Sequence, residues 1–274
     1  TGRAYIFYND GSIPTTAATA DVIITGEASS YFSRGLTSGD FNADGRTDLV
    51  IGAYGYSGST GRAYIFYNDG SIPTTAATAD VIITGEATSQ FGVNLTAGDW
   101  NADGRTDLVV GANIYSTNTG RAYIFYNDGS IPTTAGTADV TITGEATNNY
   151  FGISLTAGDL NADGRTDLVI GAYGYSTNTG RTYIFYNDGS IPTTAATADM
   201  TITGSATSQD FGSRIYIADF KSDGIMDLLV GSQQYSTYTG RLYIFTSETA
   251  SEAELPGTFY LKGTGKMKGT GKLK

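Results

Sequence analysis

The chain has 274 residues, of which 40% are hydrophobic and 12% aromatic, enough apolar material for a packed core and too much for a disordered polymer. Its formal net charge of −11 argues against nucleic acid as a partner, since a phosphate backbone demands a basic stripe and none is visible. Cysteine and histidine are absent, which removes disulfides, thiol nucleophiles, imidazole bases and the usual zinc ligands, and no apolar run reaches the ~20 residues of a membrane-spanning helix. The sequence opens at Thr1 rather than on methionine, as a processed secreted form or a piece of a longer protein would.

In chain order, Gly2 to Tyr8 alternates aromatic and β-branched residues and predicts a strand. Asn9-Asp10-Gly11 supplies a turn, and the Thr/Ala-rich stretch from Pro14 to Ala20 reads as a loop. Val22 to Thr25 is a second strand, Phe32 to Gly39 a third, and Leu49 to Ala53 a fourth whose continuous apolar run suits burial on both faces. Nothing has the 3.6-residue period of a helix, so the chain reads as all-β.

The same order then recurs. Thr-Gly-Arg begins at Thr1, Thr60, Thr119, Thr179 and Thr239, a spacing of 59 to 60 residues. Four short strands per repeat match the blade of a β-propeller, a small twisted sheet that buries its faces against its neighbours. A string of separate small domains is the alternative, but a disulfide-free four-stranded unit of this size is marginal alone. The predicted architecture is an all-β propeller of four full four-stranded blades, at 31–89, 90–149, 150–209 and 210–261, with the last blade's fourth strand near Thr258 to Leu261. An N-terminal half-blade hairpin occupies 1–30 and a Lys/Gly-rich tail 262–274.

Between the first two strands of each repeat lies an acidic loop. The first is Asp40-Phe41-Asn42-Ala43-Asp44-Gly45-Arg46-Thr47-Asp48, with oxygen donors at positions 1, 3, 5 and 9 and glycine at position 6. The donors are Asp40, Asn42, Asp44 and Asp48, then Asp99, Asn101, Asp103 and Asp107, then Asp159, Asn161, Asp163 and Asp167, and last Asp219, Asp223 and Asp227. Arg46, Arg105, Arg165 and Ile225 at position 7 would each contribute a backbone carbonyl. All-oxygen donors around a tight bend suit calcium, which takes six to eight oxygens at flexible geometry. The start resembles an EF-hand loop, but the glutamate at position 12 is missing and the flanks are strands. An Asx-rich turn closing a hairpin is the plainer alternative, and four recurrences of the full spacing weigh against it. Three to four Ca2+ ions are therefore expected. The loops hold 12 of the 27 acidic residues, and four ions would take the net charge from −11 to −3. Lys221 replaces the asparagine of the fourth loop, which is expected to bind most weakly.

The units Phe91-Gly92 with Gly111-Ala112-Asn113, and Phe151-Gly152 with Gly171-Ala172-Tyr173, resemble the FG-GAP repeat of integrin α-subunit propellers and bacterial surface proteins. The resemblance runs from Thr1 to about Phe245. It departs at Ser33 after Phe32, at Tyr54, Asn113 and Tyr173 in place of proline, and at Gly231-Ser232-Gln233. It implies a propeller with calcium on one face and an extracellular or cell-surface setting in adhesion or recognition.

No catalytic constellation stands out, and the chain reads as a non-enzyme. Glu27, Glu86 and Glu145 recur at the end of the same strand, with Ser205 fourth, and a carboxylate repeated there more often marks a hairpin terminus than a glycosidase pair. Two partner classes remain. Tyr54-Gly55-Tyr56 and Tyr173-Gly174-Tyr175 could stack on a glycan, or pack between blades. Edge strands of the leftover hairpin, with the five lysines of the tail, would instead support head-to-tail self-association or docking on a cell-surface protein.

Overall fold

A computed structural model describes residues 1–246 of the chain. Its first two strands, β1 (Arg3–Ile6) and β2 (Val22–Thr25), pair antiparallel as a lone hairpin. Three complete sheets follow, each antiparallel in chain order. The first is β3 (Phe32–Gly39), β4 (Asp48–Ala53), β5 (Arg62–Phe66) and β6 (Val81–Thr84). The second is β7 (Leu95–Gly98), β8 (Asp107–Ala112), β9 (Arg121–Phe125) and β10 (Val140–Thr143). The third is β11 (Ser154–Gly158), β12 (Asp167–Ala172), β13 (Arg181–Phe185) and β14 (Met200–Thr203). In the fourth, β15 (Phe211–Ala218), β16 (Asp227–Ser232) and β17 (Arg241–Phe245) are described. The fourth strand expected near Thr258 to Leu261 and the tail 262–274 lie outside the described residues.

The sheets stand as blades in a propeller ring, with β3, β7, β11 and β15 innermost. Arg34 of the first blade and Arg214 of the fourth line the same axial cavity, so the two ends of the array meet at the axis. Each central strand sends alternate side chains to opposite neighbours, as its period of two dictates. Val109 and Ile124 join a core shared with the third blade, whereas Leu108, Val110 and Tyr123 join one shared with the first. All five are essentially inaccessible to solvent, which is the burial on both faces that the apolar runs imply.

The Phe-Gly and Gly-Ala pairs have a direct steric cause. A Cβ on Gly111 would lie 2.1 Å from the carbonyl oxygen of Gly152 in the next blade, and Gly52 and Gly171 are closed in the same way by Gly92 and Gly212. Phe151 beside that contact is buried edge-on to Tyr183 at 5.3 Å, wedged at the interface. The Thr/Ala-rich stretch is more ordered than a plain loop. Ala76–Thr78 forms a 3-10 turn, Ala76 is buried, and the Thr74 carbonyl accepts from Thr25 N–H of the preceding unit at 2.9 Å. The equivalent loops do the same at Thr84 with Thr133 and at Thr143 with Thr193, so each caps the outer strand of the unit before it.

Candidate metal loops and the opposite face

Each acidic loop joins the two innermost strands of its blade, so all four emerge on one face of the ring. Their bend requires left-handed backbone at two positions. Gly45 has φ +83°, as the glycine at position 6 predicts, while Ala43 at position 4 has φ +58°, which the sequence did not signal. Asp40 closes the turn: Oδ1 accepts Asp44 N–H at 3.1 Å and Oδ2 accepts Gly45 N–H at 2.9 Å. Asn42 Oδ1 accepts Asp44 N–H at 3.0 Å, and Asp44 Oδ1 accepts Arg46 N–H at 2.8 Å. The second and third loops repeat this through Asp99, Asn101 and Asp103, and Asp159, Asn161 and Asp163. The fourth keeps it through Asp219 and Asp223, whose Oδ1 accepts Ile225 N–H.

The aspartate at position 9 is placed differently. Asp48, Asp107, Asp167 and Asp227 each open the second strand of their blade and are buried. Asp107 Oδ2 accepts Trp100 N–H at 2.8 Å and its Oδ1 accepts Asn127 N–H at 2.7 Å, an arrangement repeated at Asp48 and Asp167. The structure therefore gathers positions 1, 3 and 5 in the loop and seats position 9 at its base. Among the described residues no three acidic side chains converge tightly enough to cage an ion as they stand. In the first three loops the carboxylate oxygens at positions 1 and 5 each accept one hydrogen bond and keep a second lone pair for a cation. Burial pushes the carboxyl of Asp167 up to about 6 against the opposing hydrogen bonds from Asn187 and Leu160, and raises those of Asp107 and Asp227. A buried carboxylate at the base of a loop that holds two more carboxylates fits a divalent counter-ion.

The fourth loop already contains a cation. Lys221 Nζ lies 3.0 Å from Asp223 Oδ2, where the first three loops have the neutral asparagine amide, and that ammonium holds the Asp223 carboxyl below the usual range.

Buried asparagines tie neighbouring loops together. Asn127 Nδ2 donates to the Phe41 carbonyl of the first loop at 2.8 Å, while its backbone N–H holds Asp107 of the second. Asn187 links Trp100 to Asp167 in the same way. These asparagines look like ordinary turn residues in sequence; their recurrence after Tyr-Ile-Phe-Tyr was the available signal.

The recurring glutamates are inter-blade latches rather than mere hairpin ends. Glu27 meets Arg62 at 3.2 Å, Glu86 meets Arg121 at 3.0 Å, and Glu145 meets Arg181 at 3.2 Å, each one blade ahead. The same arginines lie 3.6–3.7 Å from the ring centres of Tyr56, Tyr115 and Tyr175. Tyr56 and Tyr175 thus each have a face covered by guanidinium. Tyr54 and Tyr173 instead stack on Tyr31 and Tyr150 at 5.1 and 4.8 Å, and each lines a cavity on the face opposite the acidic loops.

Like sheets set face to face around an axis, each with an acidic loop between its inner strands, define a repeat-built β-propeller. The chain belongs to the FG-GAP repeat propellers: the FG-GAP repeat matches residues 151–185 and the FG-GAP-like repeat residues 40–110. It is 30% identical over 239 residues to the phosphatidylinositol-glycan-specific phospholipase D of Dictyostelium discoideum, covering 75% of this chain and 25% of that protein. Integrin alpha-5 of Xenopus laevis is 28% identical over 239 residues, 81% of this chain and 22% of the relative. Integrin alpha-M of Mus musculus is 36% identical over 155 residues, 53% and 13% respectively. The chain spans a quarter or less of the length of these relatives.

Proposed function

We propose that the protein is a calcium-stabilised, non-catalytic propeller with a structural or adhesive role at the cell surface or outside the cell. The observation that carries this is the threefold repetition of one complete acidic loop, each on a buried aspartate at the foot of the second strand. Calcium there would bridge carboxylates that otherwise repel, and weak module sites are filled near 10⁻⁴–10⁻³ M, about the extracellular level. Calcium at about tenfold its dissociation constant would add roughly 1.4 kcal/mol per site, so three sites approach a domain's whole margin. The setting follows the integrin relatives by analogy. No helix among the described residues is long and apolar enough to cross a membrane. The non-enzymatic reading rests on the absence of histidine and cysteine, and on a match to the phospholipase D relatives that covers only a part of each.

Assembly is the proposed mode of action. β1 pairs only with β2 among the described residues, and its other edge lies where a second strand would stand in a full blade. Edge pairing, with Lys262 to Lys274 docking on the acidic body of the next copy, would give head-to-tail polymers. Electron microscopy of the purified chain should show filaments that disappear when 262–274 is deleted; isolated particles for both chains would overturn it.

Glycan binding is the second reading, favoured by one observation: the stacked Tyr150–Tyr173 pair borders an axial cavity of about 450 Å³. A glycan array would test it, with isolated particles and a sugar hit favouring recognition over assembly.

A further inference from the structure

The repeats are near copies, so the places where they differ carry information. Two such places per blade lie on the face opposite the acidic loops, the residue before the phenylalanine and the residue after the Gly-Ala or Gly-Ser pair; those of the second, third and fourth blades line the axial cavity and those of the first a second cavity beside Arg34. The first and third blades put stacked tyrosines there, Tyr31 on Tyr54 and Tyr150 on Tyr173. The second and fourth put polar groups, Gln90 with Asn113 and Asp210 with Gln233. The inner strands differ as well. Arg34 stands where the second and third repeats have Val93 and Ile153, and Arg214 where they have Asn94 and Ser154. Both guanidinium side chains line the axial cavity, one from the first blade and one from the fourth, six residues or fewer from the start of the acidic loop.

Among the described residues no carboxylate lies within ion-pair distance of either arginine. Arg34 lies 5.3 Å from the ring centre of Tyr54, and Arg214 Nη1 donates to the Ser213 carbonyl at 2.7 Å. Their proximity depresses the pKa of Arg214 further below what burial alone does. Like charges held together in a protein of net charge −11 call for an anion. Two acceptors in the wall, Asn113 Oδ1 and Asp210 Oδ1, are buried without a protein donor, so they call for hydroxyl groups. The Tyr150–Tyr173 stack offers an apolar surface for the C–H face of a ring. The volume lies within the roughly 300–1,000 Å³ of small-ligand sites.

We infer that the axial cavity opposite the acidic loops binds a sugar bearing one carboxylate, such as a uronic acid unit. Two guanidiniums against Asp210 leave one positive charge, which matches a single carboxylate better than a polyanion. The guanidiniums hold the carboxylate, the tyrosine stack holds the ring, and the two acceptors take hydroxyl protons. The inference rests on the glycan reading above and names its site and ligand class; it does not depend on calcium.

Titration calorimetry on the full chain with glucuronate, glucose, acetate and free arginine tests it. Glucuronate should bind about tenfold or more tighter than either glucose or acetate. Arg34→Val and Arg214→Asn, which graft residues of sister blades, should each remove most of that preference while leaving the melting temperature unchanged. Tyr173→Asn should weaken glucuronate towards acetate. Equal binding of glucose and glucuronate would overturn the carboxylate assignment while leaving glycan recognition standing. Equal binding of acetate and glucuronate, or binding of no sugar, would overturn both. Preference for arginine would overturn the sign of the site. The comparison among ligands needs no variant and stands even if a substitution unfolds the chain.

Discussion

Lys221 tests the metal reading at the level of a single side chain. Its ammonium sits on Asp223, where a bound divalent ion would have to displace it. Lys221→Asn restores the side-chain donor set of the first three loops and should add a calcium-dependent stabilisation of roughly 1.4 kcal/mol at about tenfold the dissociation constant. Equal calcium responses from the native chain and the variant, measured by thermal melts, would show that the fourth loop was never different. A second single-residue test separates backbone from metal. A Cβ on Gly104 would meet nothing within 4 Å, yet the residue has φ +84°. Gly104→Ala should therefore cost about 1–2 kcal/mol from backbone strain alone, in chelator as well as in calcium. A variant as stable as the native chain in chemical denaturation would mean the loop relaxes into another bend.

At the level of elements, strand positions were legible because each strand carries an alternating or continuous apolar run between Gly- and Asp-rich turns. Val22–Thr25 and Phe32–Gly39 fall at the expected bounds, and the Gly2 to Tyr8 run shortens to Arg3–Ile6. The acidic loops were legible as a spacing. What the spacing could not reveal is that Asp48, Asp107 and Asp167 spend both oxygens on backbone N–H groups, because Asn68, Asn127 and Asn187 arrive from about 20 residues away. The asparagine links show the same limit. Asn127 is 2% exposed and bonds the preceding loop, whereas Asn68 is partly exposed because the hairpin before it has no acidic loop to reach. Asn127→Ala should thus cost about 1–3 kcal/mol by stranding the Phe41 carbonyl, and Asn68→Ala far less. Urea denaturation of the two variants measures the difference; equal losses would remove the link from the account.

For the whole molecule, the ring depends on backbone contact between blades, and that dependence varies along the chain. A Cβ on Gly111 would meet the Gly152 carbonyl at 2.1 Å, but a Cβ on Gly231 in the last blade would lie 3.4 Å from its nearest neighbour, Arg214 Cβ. Gly111→Ala should destabilise by about 1–3 kcal/mol or more through overpacking, and Gly231→Ala should be tolerated. Similar melting points for both would contradict the interface as described. Sequence alone exposed the repeat period and hence the blades. It left the latches Glu27–Arg62, Glu86–Arg121 and Glu145–Arg181 hidden, since each joins residues 35 or 36 positions apart in different blades. The central claim is that calcium in the acidic loops holds this ring together. It is tested most directly by thermal melting of the full chain in about 1 mM calcium and in chelator, beside a variant carrying Asp44→Ala, Asp103→Ala and Asp163→Ala. The native midpoint should fall by about 10 °C on chelation while the variant shows little response; an unchanged native midpoint would contradict the account.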